Sequence, residues 1–295
     1  MAALRLEVHL AQADAASAAV VAEMHQATAA GIATSAAPGN LTPAPAHAAT
    51  DLPAADTTDC HANFFTVHQG TCVYGDPAGT HTVVLVGDSH ADVWLPAFDR
   101  AGKAAHWKVV DWTKSACPAA QLTVYNSVLK RTYTECDAWR ADVLSRIAAL
   151  RPDMVVVSDS ENVVGAAETP SAWSAATLAT MRQVKASSRA RVVLMQDVPV
   201  PGYDMPGCVA AHLASVRDCT FPVARAYSFP ARHRVLATDA AGAGFKVVDP
   251  ADWICSNGTC PAVVGNVLAY RDPTHLTAAF SAWLAPLAST VLQGA

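Results

Sequence analysis

The chain has 295 residues, 52% of them apolar, enough for one large α/β domain plus a tail or for two small domains. Twenty basic residues against 25 acidic ones leave a formal charge of −5, which argues against nucleic acid or an anionic membrane as the main partner. No stretch approaches about 18 uninterrupted apolar residues, so no segment reads as membrane-spanning.

Residues 1–28 read as a weak Ala-rich helix. No signal peptide is visible there, because Glu7, His9, Gln12 and Asp14 interrupt any compact apolar core. Residues 29–58 are rich in Ala, Pro and Thr and poor in large apolar groups, the composition of a linker. The expected division is therefore a tail over 1–59 and a folded domain over 60–295. From residue 82 onward short valine-rich runs alternate with amphipathic stretches, the signature of a parallel sheet covered by helices. Strands are predicted at 82–87, 107–112, 153–158, 191–196 and 245–248. Helices are predicted at 91–101, 134–150, 171–187, 229–240 and 275–292. In the second, Trp139, Val143, Leu144, Ile147 and Leu150 recur at helical spacing, and Arg151-Pro152 ends it. Residues 200–228 look irregular. The expected architecture is a three-layer, flavodoxin-like α/β domain with a parallel sheet of about five strands.

Eight cysteines fall into four close couples along the chain: Cys60/Cys72, Cys117/Cys136, Cys208/Cys219 and Cys255/Cys260. Eight thiols allow about 105 pairings, and neighbour pairing is the expectation. There is no Cys-x-x-Cys and no histidine at finger spacing, so disulfides are favoured over zinc, with reduced core cysteines as the other reading. Disulfides imply an oxidising compartment. An oxidised domain without a visible export signal suggests that residues 1–59 are the end of a larger exported or membrane-fused protein.

Chemistry concentrates at two places. The run Thr82–Val86 ends in Gly87-Asp88-Ser89-His90, and much later comes Arg271-Asp272-Pro273-Thr274-His275-Leu276-Thr277. A serine at the exit of a buried strand, with an aspartate and a histidine three residues apart, supplies nucleophile, base and orienting carboxylate for acyl transfer. Taken alone, Ser89 reads as a helix N-cap, and Asp272 as a cap with an incidental helix histidine. Together they read as a triad, with Asp272 capping the last helix, Pro273 opening it and His275 on the same face. The backbone N–H of Ser89 or His90, at a helix start, is a candidate oxyanion donor.

These two motifs resemble the first and last blocks of the SGNH (GDSL-type) hydrolase superfamily. With their flanks, and with Thr113-Lys114-Ser115-Ala116-Cys117-Pro118, they resemble one subgroup. Its members are extracytoplasmic SGNH domains fused to membrane acyltransferase-3 domains in cell-envelope O-acetylation, and the resemblance covers roughly residues 60–292. It implies a serine-dependent O-acyltransferase, most simply for acetyl, acting on an envelope glycan. The acyl group would come from a membrane acyltransferase-3 domain, with no cofactor and no metal, and the chain would lie on the extracytoplasmic side. A carbohydrate O-acetyl esterase is the alternative, and a non-catalytic glycan-binding module a further one. The family usually adds oxyanion donors from a glycine block and an asparagine. Here Ser115 and Asn162 stand nearest, without the usual glycine and without Gly-x-Asn-Asp. Asp88 and His90 read as structural flanks, His90 at the cleft edge. Trp94, Trp112, Trp253 and Tyr270 are candidates for sugar stacking, although tryptophan is more often core. Asp197 and Asp249 end strands, and no partner histidine follows either one.

Overall fold

The five valine-rich segments form parallel strands, as expected from their sequence. The structure is a computed structural model that describes residues 2–165 and 168–294, with side chains in the first helix described from residue 18. The strands are β1 (Cys72–Gly75), β2 (His81–Gly87), β3 (Trp107–Thr113), β4 (Met154–Ser158), β5 (Arg191–Met195) and β6 (Lys246–Val248). Their order in the sheet is β1-β3-β2-β4-β5-β6. Only β1, which sequence reading missed, runs antiparallel, along the edge of β3.

The helices that the site and the two cores use are α1 (Ala2–Ala33), α2 (Leu95–Ala105), α3 (Thr134–Leu150), α4 (Pro170–Ser188), α5 (Pro230–Gly242), α6 (Ala278–Trp283) and α7 (Ala285–Gln293), and a short helix, Met205–Ala211, lies within the 200–228 stretch expected to be irregular. Alternate strand residues feed two separate cores, as a two-residue period requires. Val83, Leu85, Met154, Val156, Val193 and Met195 pack with Leu95, Phe98, Leu287 and Leu292 of α2 and α7. Val84, Val86, Val155, Val157, Val192 and Leu194 pack with Trp139, Ile147, Trp173, Leu178 and Leu236 of α3, α4 and α5. Trp139 and Trp173 are fully buried. The result is three layers.

Helix ends follow local chemistry. α3 stops at Arg151, left-handed at φ 49°, just before Pro152. Thr169 caps α4 by accepting from Ala172 N at 3.1 Å, with Pro170 in the first turn. The single helix expected over 275–292 is two. Thr277, not Asp272, is the cap, accepting from Phe280 N at 2.9 Å. Pro286 lacks an N–H and cannot continue a helix begun at Ala278, so the chain restarts at Ala285. The expected helix over 91–101 is likewise one turn at Ser89–Asp92 followed by α2.

All four neighbour disulfides form. The Cα separations are 6.0 Å for Cys60–Cys72, 5.3 Å for Cys117–Cys136, 5.9 Å for Cys208–Cys219 and 4.1 Å for Cys255–Cys260. The last falls below the usual span of about 4.4–6.8 Å. Its cause is a tight turn: Ser256 and Thr259 exchange both backbone bonds, N to O at 2.8 and 3.0 Å, so Cys255 and Cys260 form the next, closer-set pair outward. Cys260 is fully buried and sits in the two-residue strand Thr259–Cys260, paired with Phe221–Pro222. Cys117, Cys136 and Cys219 are fully buried as well. These cysteines are therefore core staples, as expected of neighbour-paired disulfides.

The Ala/Pro-rich stretch lies along the domain and bonds to it repeatedly. Thr42 N donates to Asn266 O, Leu268 N to Thr42 O, and Ala278 N to Asp51 O. Ala48 and Ala55 are fully buried. None of the described helices is long and apolar enough to cross a membrane.

Candidate active site

Chain order reverses at β2, which lies between β3 and β4, and such a switch point opens a crevice at the strands' carboxyl ends. Gly87 ends β2 in register with Thr113 of β3 and Ser158 of β4, so three loops leave the sheet side by side. Gly87 has φ +150°, and a Cβ there would sit 1.8 Å from the Ser158 carbonyl oxygen, so only glycine fits. The Asp88 carboxylate then accepts from His90 N at 2.8 Å and from Ser160 N at 3.0 Å, tying the Ser89 turn to the loop after β4. Asp88 thus has a structural part.

Ser89 Oγ lies 2.9 Å from His275 Nε2, and His275 Nδ1 lies 2.9 and 3.0 Å from the two Asp272 oxygens. The predicted trio, 186 residues apart at its extremes, is thus one hydrogen-bonded line. Asp272 holds its place through a tight turn: one oxygen accepts from Thr274 N at 2.7 Å and from His275 N at 2.8 Å. Arg271 N donates to His275 O, and Thr277 N to Ala269 O, closing the loop ahead of α6. Burial alone would raise the Asp272 pKa, but bonds from the His275 ring and these N–H groups outweigh it and hold it far below the ordinary range. His275 is held below its ordinary 6.5, first by burial, with the positive charges of His90 and Arg271 adding to it and Asp272 opposing. It is therefore neutral at pH 7, the form a general base requires.

His90 is not at the cleft edge. It is buried, its ring 5.0 Å from the His275 ring, with Nδ1 2.5 Å from Asp197. Burial would lower its pKa, but Asp197, Asp88 and Asp272 together push it up to about 9, so it carries a positive charge beside the His275 ring. Asp197 also accepts from Glu161 N at 2.9 Å. Glu161 meets His233 Nδ1 at 2.8 Å, and His233 Nε2 lies 3.5 Å from Asp249. Both strand-end aspartates thus have histidine partners, supplied by other segments that local sequence could not reveal.

The candidate oxyanion donors divide. Ser115 N already donates to Ala62 O at 2.9 Å, which leaves it nothing to offer in this arrangement. The next N–H, that of Ala116, has no bond among the described residues, and Ala116 is left-handed at φ 50°. That conformation favours glycine, and here an alanine adopts it. A positive φ cannot be read from an alanine, so sequence reasoning missed it. Lys114 N bonds to Gly87 O at 3.0 Å and brings this loop beside Ser89, while the loop carrying Asn162 flanks the other side. Ser89 N and the Asn162 side-chain amide also have no bonded partner among the described residues, whereas Asn162 N donates to Ser160 Oγ at 3.4 Å. Trp94, Trp112 and Tyr270 are core residues, not cleft platforms, and Trp253 packs edge-on to Trp94 at 5.8 Å.

A family model for the SGNH domain (fused to AT3 domains) matches residues 59–290. The chain belongs to this family. No curated protein matches it. The SGNH fold is shared with the periplasmic domain of the lipopolysaccharide acetyltransferase of Salmonella ser. Paratyphi A, at 16% identity and TM-score 0.60 over 74% of this chain and 86% of that one. Further structures align with lower scores. The inhibitor-bound M. smegmatis aryl esterase reaches 0.47 at 15% identity, over 72% of this chain and 99% of the other. A GDSL-like lipase from Bacteroides thetaiotaomicron reaches 0.42 at 14%, over 72% and 89%. At such identities the likeness is one of fold.

Proposed function

We propose that this SGNH domain is a serine-dependent O-acyltransferase that moves an acyl group, acetyl in the simplest case, onto a hydroxyl of an envelope glycan. The observation that carries the reading is the 2.9 Å contact between Ser89 Oγ and His275 Nε2, with Asp272 behind the ring. Ser89 Oγ attacks the acyl carbonyl as His275 Nε2 takes its proton. Collapse of the tetrahedral intermediate breaks the bond to the leaving alcohol, which receives that proton. A sugar hydroxyl then attacks the acyl-Ser89 ester with His275 again as base, and Ser89 is regenerated. Asp272 keeps Nδ1 protonated and offsets the imidazolium charge. The N–H groups of Ser89 and Ala116 and the Asn162 amide are the donors for the developing oxyanion.

Transfer is favoured over hydrolysis because the family is one fused to AT3 domains, and because the neighbour with the same fold at TM-score 0.60 is an acetyltransferase domain. The same grounds, with four disulfides, support an extracytoplasmic location and a membrane acyltransferase-3 domain as acyl supplier. The test offers an activated acetyl ester with and without glycan acceptor and reads acetylated sugar by mass spectrometry. Acetyl released only to water, whatever the acceptor, makes the domain an esterase. A fluorophosphonate probe that labels wild type and Ser89→Ala alike would remove the acyl-enzyme from either account.

A further inference from the structure

A second cluster of ionisable groups lies on the turn that carries Ser89, and acyl transfer makes no use of it. Asp92 is 1% exposed, and neither of its carboxylate oxygens has a hydrogen-bond donor among the described residues. Asp56 and His61 stand beside it. One ligand atom from each of the three residues lies within 4.8 Å of the others. Asp111, fully buried, adds a third carboxylate with one oxygen unpartnered.

The hydrogen bonds fix what His61 presents. Thr113 Oγ1 donates to Asp111 Oδ2 at 3.0 Å, so it accepts from His61 Nδ1–H at 2.7 Å. His61 Nε2 is then an unprotonated lone pair, held in place by an outer partner in the manner of metal-ligating histidines. It joins Asp92, whose two oxygens also lack donors. The nearby cations leave Asp92 untouched: Arg271 Nη1 lies 3.4 Å from Asp56 Oδ2, and Lys114 donates to the carbonyls of Asn63 and Thr66. A buried carboxyl group without a donor is costly unless something satisfies it.

We propose that Asp56, His61 and Asp92 bind one divalent cation of the zinc class. One imidazole nitrogen with carboxylate oxygens suits zinc at bonds of about 2.0–2.2 Å, whereas magnesium and calcium favour all-oxygen sets. The ion satisfies both oxygens of Asp92. The site contains no residue of the Ser89–His275–Asp272 line, so its role is to brace that line. Asp92 shares a helical turn with Ser89, and Asp56 reaches Arg271, the neighbour of Asp272. This differs from the sequence expectation of no metal, because residues 56, 61 and 92 show no ligand spacing. The other grouping of ligand types, Cys208, His212 and Cys219, carries nothing of the kind, since its two sulfurs are bonded to each other.

The test measures metal content on the oxidised full chain and does not depend on activity, so it stands whether Ser89 transfers or hydrolyses. Protein stripped with EDTA is titrated with Zn²⁺, Mg²⁺ and Ca²⁺, followed by elemental analysis and thermal unfolding. Wild type and Ser89→Ala should each retain one zinc and melt at higher temperature with it. Asp92→Asn and His61→Gln should retain at least tenfold less and show no zinc-dependent rise. His61 is partly exposed, so its variant keeps the test open if Asp92→Asn does not fold. Wild type without zinc at equimolar micromolar concentration, or with saturation by Mg²⁺ or Ca²⁺ alone, overturns the proposal. So does undiminished zinc in the folded His61→Gln protein. The carboxylates would then share protons instead.

Discussion

Replacing Asp272 with asparagine isolates what the carboxylate does for His275. The oxygen that accepts from Thr274 N and His275 N at 2.7 and 2.8 Å can be kept as the amide oxygen, so the turn should survive. The amide nitrogen then replaces the oxygen 2.9 Å from His275 Nδ1 and faces Arg271 Nε, 3.6 Å from that oxygen. Two N–H donors cannot share a hydrogen bond, and the retained oxygen, 3.0 Å from Nδ1, is uncharged and already accepts from two backbone N–H groups, so the imidazole is expected to shift its proton to Nε2. That nitrogen is then a donor toward Ser89 and cannot take its proton. A wrong tautomer in a triad of this kind costs about 10⁴ in turnover, equivalent to about 5.4 kcal/mol of barrier. The assay is burst kinetics with an activated acetyl ester, alongside the fluorophosphonate labelling rate and a thermal melt. The expectation is a loss near four decades in acylation with little change in melting temperature. Activity within tenfold of wild type would refute the reasoning, and so would a loss that tracks unfolding.

Ser89→Ala and His275→Ala should each abolish acyl transfer, and the double variant should be no worse than either, since the pair acts as a unit; losses that multiply would place the chemistry elsewhere. The acid limb of kcat/KM for an uncharged ester should have its midpoint below pH 6.5, because burial and His90 favour neutral His275, and activity falls as pH drops through that value; a midpoint above 6.5 contradicts the site electrostatics. Asp272 is depressed on folding, so its contribution to stability is present above its ordinary 3.8 and is lost as pH falls from there, which acid titration of the melting temperature should show. Gly87→Ala should destabilise by about 2–5 kcal/mol in denaturant unfolding, from positive-φ strain and the Ser158 clash; a change under about 1 kcal/mol means the loops are softer than described. Replacing Cys117 and Cys136 by serine together should cost about 3 kcal/mol, given the 19-residue separation, and an unchanged unfolding midpoint would contradict it.

Sequence carried the sheet because buried parallel strands must be short and apolar on both faces, and runs such as Val83–Val86 and Val155–Val157 have no other use. It also carried Ser89, Asp272 and His275, whose residue types and flanks are distinctive. What it missed depends on geometry that residue type does not encode. β1 carries little apolar signal, because it lies at the sheet edge with Val73 exposed. Asp272 looks like a helix cap, since the same carboxylate-to-N–H bonding also builds the tight turn it makes instead. The available N–H moved from Ser115 to Ala116 because Ala62, from a different segment, occupies the first. The histidine partners of Asp197 and Asp249 lie 107 and 16 residues away and meet them only in the folded chain.

The disulfides have a consequence for how the chain matures. Each joins a cysteine to the next one along, across 12, 19, 11 and 5 residues. An oxidant that links each thiol to the next along the chain builds the native set in order, with no pairing to undo. Reshuffling by an isomerase then adds nothing to the yield, even though Ser89 and His275 must still find each other across most of the chain.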